Sequence, residues 1–207
     1  MNIGPISFGK KYIRSANAID NSTQSVKKMD FVEYEKNGKD LLHLLQTQKL
    51  WTEVYGECDT YIDKIVLDMY NIIKSGDDSR QTKVYALEDE DGQIQAVCEI
   101  GRYYTTIDSK LKEGKEPATI IRYISTNPKS MHGKKDRKYS KLGTSLFKEI
   151  LKQIKKEDTK GIVLLDSSGG FWDKLPNMKT ENCEYAKINF MESDKFNDSI
   201  RRLNAVI

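Results

Sequence analysis

Cysteine is scarce in this chain, with only Cys58, Cys98 and Cys183 among 207 residues. Thiols so few and so far apart build neither a disulfide framework nor a paired C-x-x-C zinc site. Reduced cysteines and no bound metal are therefore expected. Histidine is scarcer still: His43 and His132 are the only two, and neither has a visible partner for catalysis. Long apolar runs are also missing. None approaches the roughly 18 residues that a bilayer crossing requires, and the N-terminal stretch lacks the continuous apolar segment of a secretory signal. Nor does one sign of charge dominate, since 34 Lys and Arg oppose 31 Asp and Glu for a net +3. That balance gives no general basis for gripping nucleic acid. By elimination the expectation is a cytoplasmic protein with no membrane segment. No linker rich in Pro, Gly or Ser divides the chain, and no internal repeat is visible.

What is present is a sequence of one-domain length with 38% hydrophobic and 31% charged residues, enough for an ordinary core under a charged surface. Residues 1–28 are polar and read as a flexible arm, which leaves 29–207 as a single domain. Met29 to Tyr34 alternates as a short strand. Lys39 to Trp51 reads as a helix with Leu41, Leu42, Leu44, Leu45 and Leu50 on a wide apolar face. Thr60 to Lys74 repeats its apolar residues at threes and fours and is a stronger helix. KVYALE and QIQAVCEI flank Asp89-Glu90-Asp91-Gly92, the pattern of an antiparallel hairpin. Ala118 to Thr126 is a buried type of strand. Tyr139 to Lys156 is an amphipathic helix that sends Leu142, Leu146, Ile150 and Ile154 inward and Lys148, Glu149 and Lys152 toward water. Ile162 to Asp166 is a second strand, which should run parallel to the first. A short turn ended by Pro176, a strand over Tyr185 to Met191 and a helix over Asp194 to Val206 complete the pattern.

The junction between the Ala118 strand and the helix after it is chemically distinctive. From Lys129 to Lys141 it carries six basic residues, Lys129, Lys134, Lys135, Arg137, Lys138 and Lys141, against the single acid Asp136. The first N–H groups of a helix lack internal partners, and the helix dipole adds partial positive charge there. Such an end suits a phosphate or pyrophosphate, and ligands favour the carboxyl edge of parallel strands. Charge alone would equally describe a solvated basic loop.

The same residues resemble a known family. Ile124-Ser125-Thr126-Asn127-Pro128, then Lys138-Tyr139-Ser140-Lys141-Leu142-Gly143, then Thr144 to Leu151 are similar to motif A of the GNAT-type N-acetyltransferase superfamily. That motif ends a strand with L-x-V-x-P and opens a helix with Q/R-x-x-G-x-G/A. The resemblance implies an α/β (α+β) fold, with a central twisted mixed sheet of about 6–7 strands and helices on both faces. Motif A would span 118–156. It implies acetyl-CoA as acyl donor, with Ile124, Ser125 and Thr126 along the pantetheine arm. Lys138, Tyr139, Ser140, Lys141, Leu142, Gly143 and Thr144 would lie around the pyrophosphate. Three positions depart from the pattern: Lys138 replaces Gln or Arg, Lys141 replaces the first Gly, and Trp172 stands where the family often has an acidic Tyr.

Direct attack of an amine on a thioester needs a neutral amine, a polarised carbonyl and a stabilised leaving thiolate. Glu99 and Asp166 are the candidate bases, and Ser167 and Ser168 the candidates for stabilising the thiolate. Indole is no proton donor of the tyrosine kind, so Trp172 leaves the general acid open. The implied activity is transfer of an acetyl group to an amine acceptor whose identity the sequence leaves open, as it does the oligomeric state. A non-catalytic CoA-binding or protein-interaction module is the alternative. Nucleic-acid binding through the basic turn ranks last, because only Tyr139 could stack there.

Overall fold

The computed structural model describes residues 9–55, 61–102, 117–131, 136–157, 159–166, 170–182 and 187–207. Four helices and nine strands follow in the order β1 (Lys11–Asp20), β2 (Ser25–Tyr34), α1 (Gly38–Tyr55), α2 (Ile62–Ser75), β3 (Lys83–Glu88), β4 (Ile94–Arg102), β5 (Thr119–Thr126), β6 (Tyr139–Ser140), α3 (Leu142–Ile154), β7 (Gly161–Asp166), β8 (Lys179–Asn182), β9 (Lys187–Glu192) and α4 (Phe196–Asn204). The strands form one mixed sheet in the order β6-β1-β2-β3-β4-β5-β7-β9-β8. Neighbours from β1 to β5 are antiparallel, and among the described residues the single parallel pair is β5 with β7, as the α/β reading requires.

Strand periodicity distributes the side chains to two layers. Tyr85 and Leu87 of β3 join Ala96, Cys98 and Ile100 of β4 under α3 and α4. Val84 and Ala86 join Val97 on the opposite face under α1 and α2. Helices therefore cover both faces. α2 ends as its sequence directs: Gly76 adopts φ 69° and its N–H closes onto the Ile72 carbonyl.

Four expectations need correction. The supposed arm over residues 1–28 contains all of β1 and the start of β2, and residues 1–8 lie outside the described residues. Polar side chains do not prevent pairing here, because Ala16 and Ala18 supply small buried contacts on one face while the other faces solvent. The sheet is consequently larger than about 6–7 strands, gaining β1, the two-residue β6 and the polar β8. β1 also changes α3. Lys148 and Glu149, read as facing water, are buried. Arg14 of β1 places its Nε 3.6 Å from Glu149, and its guanidinium donates to Gln153 at 2.8 Å. Conversely Leu42, Leu45 and Leu50, read as part of the apolar face of α1, are exposed, and Leu41, Leu44 and Trp51 face the sheet. Among the described residues no helix is long and apolar enough to cross a membrane.

Candidate active site

β5 and β7 pair only at their beginnings, from Thr119 with Ile162 to Ile121 with Leu164. Beyond that point β7 stays paired to β9 as far as Asp166, whereas β5 continues to Thr126 beside β4 alone. A wedge opens between them, and among the described residues one edge of β5 from Tyr123 onward has no strand partner. The wedge starts at a bulge: Glu99 lies opposite Tyr123 and Ile100 opposite Ile121, which leaves Arg122 as the extra residue.

The bulge gathers an ionic cluster on the α2 face. The Arg122 guanidinium donates to Glu99, and its Nη1 lies 2.5 Å from Oδ2 of Asp68 on α2. It also lies over the Tyr123 ring, 5.2 Å from the centroid, and Tyr123 stacks on Tyr61 at 5.8 Å. Glu99 is fully buried. Burial pushes its carboxyl up to about 8, with Arg122 pulling it down and Asp68 pushing it up.

At the open end of β5 the described second half of the basic turn, residues 136–141, is anchored. Asp89 accepts backbone N–H bonds from Asp91 and Gln93 and the Gln95 amide at 2.9 Å. Gln95 in turn accepts from Asn127 at 3.2 Å, and Lys138 Nζ lies 3.9 Å from Asp89. On the other side the Asn21 side chain donates to the Arg137 carbonyl at 2.7 Å, and the Asn21 N–H to the Lys138 carbonyl at 2.9 Å. Tyr139 and Ser140 then pair with Asp20 and Ile19 of β1. Lys141 stands before α3 at φ 63° and ψ 11°, and no side chain caps the helix. Gly143, in the first turn of α3, faces the ring of Phe171, which lies 3.4 Å from where a Cβ would be. This contact brings the start of α3 close to the chain that follows β7.

No protein-family model matches the sequence, and no curated protein matches it. Solved structures share its architecture. An uncharacterised protein from Bacillus halodurans superposes with a TM-score of 0.55 at 16% identity, over 93% of this chain and 97% of its own. FeeM, an N-acyl amino acid synthase from uncultured soil microbes, gives 0.51 at 8% identity, over 83% and 95%. A GNAT-family acetyltransferase from Listeria monocytogenes gives 0.48 at 13% identity, over 84% and 97%. This chain shares the fold of the Bacillus halodurans protein and of FeeM.

Within this fold the residues singled out in the sequence fall into separate places. Ile124, Ser125 and Thr126 lie on β5 beyond its pairing with β7 and still beside β4; Ile124 leans on the α3-side core, and the buried Ser125 Oγ has no partner among the described residues. Lys138 to Thr144 form the anchored turn and the first residues of α3, where Tyr139 and Leu142 are core residues. Glu99 lies at the apex of the wedge. Asp166 ends β7 opposite Lys187 in the backbone register. Ser167 and Ser168 lie outside the described residues, as do Lys134, Lys135 and His132. Trp172 is 2% exposed and meets Phe147 edge-on at 5.5 Å, so it belongs to the core. His43, read as lacking a partner, has its Nδ1 2.8 Å from the Tyr34 hydroxyl, away from the wedge.

Sequence reasoning missed Asp68, although a signal existed. Tyr61, Ile65, Asp68 and Ile72 share one helical stripe, so Asp68 interrupts a row of apolar residues. A buried-type strand containing Arg122 also requires a counter-ion from a neighbouring element.

Proposed function

We propose that this chain is an acyl-CoA-dependent N-acyltransferase, with acetyl-CoA the simplest donor and an amine as acceptor. The observation that carries this reading is the wedge between β5 and β7, which offers an unpaired strand edge next to an uncapped helix start with basic residues around it. Backbone groups of Ile124 to Thr126 on the edge away from β4, which has no strand partner among the described residues, suit the amide-rich pantetheine arm. The first amides of α3, at Leu142, Gly143 and Thr144, suit a pyrophosphate, with Lys141 and Lys138 adding charge. Bound acyl-CoA would supply the acyl group already activated as a thioester.

The chain's own groups would manage protons. Glu99 takes the proton of the acceptor amine, directly or through one water, and its raised proton affinity fits that task near neutral pH. In the transfer a nitrogen–carbon bond forms and the carbon–sulfur bond breaks. The amine proton goes to Glu99 and the departing thiolate takes up another. Asp166, Ser167 and Ser168, at and just after the end of β7, are the proposed neighbours of that thiolate. A binding module without turnover is the second reading, favoured by the buried Trp172 in place of an acidic Tyr.

Calorimetric titration with acetyl-CoA tests the site. Wild-type protein should release binding heat, and Lys141→Glu should bind about tenfold more weakly or worse, because it reverses a charge at the helix start. No heat at high ligand concentration would remove the proposal. Gly143→Val is the poorer probe, since its side chain would press on Phe171. Thiol release from acetyl-CoA with a lysine peptide, a polyamine, an amino sugar and an amino acid then separates enzyme from module. Glu99→Gln should retain binding and lose about a hundredfold in thiol release.

A further inference from the structure

We infer that Asp68 and Arg122 are positioning residues that act together on Glu99, Arg122 holding its carboxylate and Asp68 competing for the same guanidinium. The inference rests on the reading of Glu99 as the acceptor's base. It starts from an imbalance of charge: one guanidinium serves two carboxylates in a place that water barely reaches. Arg122 is the bulged residue of β5, so its side chain is delivered to the α2 face between Asp68 and Glu99. Side-chain exposure is 12% for Arg122, 22% for Asp68 and nil for Glu99.

The groups that face Glu99 can be named element by element among the described residues. α2 contributes Asp68, and β5 contributes Arg122 with Tyr123 beside it. β3 places the uncharged Val84 opposite it. On β4 itself the Cys98 side chain belongs to the core on the other face. Asp68 is thus the acidic neighbour that raises the cost of ionising Glu99, and Arg122 the basic one that lowers it. This arrangement gives a fully buried carboxyl two opposed controls.

Opposed controls make a signed prediction. Asp68→Asn keeps the shape and removes the competing charge while Arg122 still holds Glu99, so Glu99 should ionise at lower pH, by about one unit. Arg122→Gln removes the attraction, so Glu99 should ionise at higher pH. A merely structural loosening would admit water in both variants and move both toward the ordinary carboxylate range. The measurement is a ¹³C NMR titration of the glutamate carboxyls in the free protein, with Glu99 assigned by its loss in Glu99→Gln. Shifts of opposite sign support the inference. An unmoved midpoint in Asp68→Asn, or shifts of the same sign in both variants, overturns it. The pH profile of thiol release from acetyl-CoA with the best amine of the panel tests the underlying reading separately. A midpoint that moves while the acid limb of the rate stays fixed would uphold the coupling and remove Glu99 as the base.

Discussion

Lys141 illustrates how a departure in sequence can leave a backbone intact. The resembled motif has glycine at this position, and lysine here still adopts the left-handed conformation at φ 63° that glycine accepts without cost. A non-glycine residue with that φ carries strain of about 1 kcal/mol. Replacement by glycine relieves this strain, although it also loosens the unfolded chain. Lys141→Gly should therefore leave the denaturant midpoint unchanged or raise stability by up to about 1 kcal/mol. The same variant loses one charge near the proposed pyrophosphate site, so acetyl-CoA affinity should fall even as stability holds. A loss of stability instead would mean that the lysine side chain makes a contact worth more than the strain. The sequence showed the lysine but not its dihedral, because only the strand pairing of Tyr139 and Ser140 just before it fixes the entry into α3.

At the scale of elements, α2, α3 and the β3–β4 hairpin were legible because their apolar residues repeat with one clear period. Ile62, Ile65, Val66 and Met69 are buried where the spacing puts them. Asp89 and Gly92 close the hairpin turn that the D-G pair signals. β1 was not legible, since its buried positions are alanines, and its burial of Lys148 and Glu149 is a tertiary effect that α3's own sequence does not contain. The candidate site divided in the same way. Its backbone half, Ile124 to Thr144, was readable as a motif, whereas the Asp68–Arg122–Glu99 cluster depends on a bulge and on a helix about fifty residues earlier in sequence. Trp172 is another tertiary case: it anchors the segment after β7 onto α3 through Phe147 and Phe171. Trp172→Ala should cost about 3–5 kcal/mol by leaving a cavity, read as a lower denaturant midpoint. Trp172→Phe should recover most of that loss if packing is its role. A Trp172→Ala protein of wild-type stability would contradict the core placement.

For the molecule as a whole, buried titratable groups make stability depend on pH in a way whose sign can be worked out. Burial raises Asp40 to about 6 and Glu99 to about 8, so the folded state holds both protons more tightly than the unfolded chain does. Their contributions are complete below the ordinary carboxylate range and are lost as pH rises toward each folded value. His43 acts oppositely: burial lowers its proton affinity, so its contribution grows as pH rises and is complete once the unfolded imidazole, with its ordinary value of 6.5, has lost its proton. Below about 6.5 these effects oppose one another; between about 6.5 and 8 the dependence set by Glu99 prevails over those of Asp40 and His43. Between pH 6.5 and 8 the loss should amount to about 2 kcal/mol, from 1.36 kcal/mol for each unit over which only the folded state keeps the proton. Thermal melts across this interval should therefore show the midpoint falling as pH rises. Glu99→Gln, which cannot ionise, should flatten that slope and leave Asp40 and His43 to set the remaining dependence at lower pH. A slope equal to that of the wild type would mean that Glu99 is already ionised at pH 6.5. Arg122 would then outweigh burial and Asp68 combined.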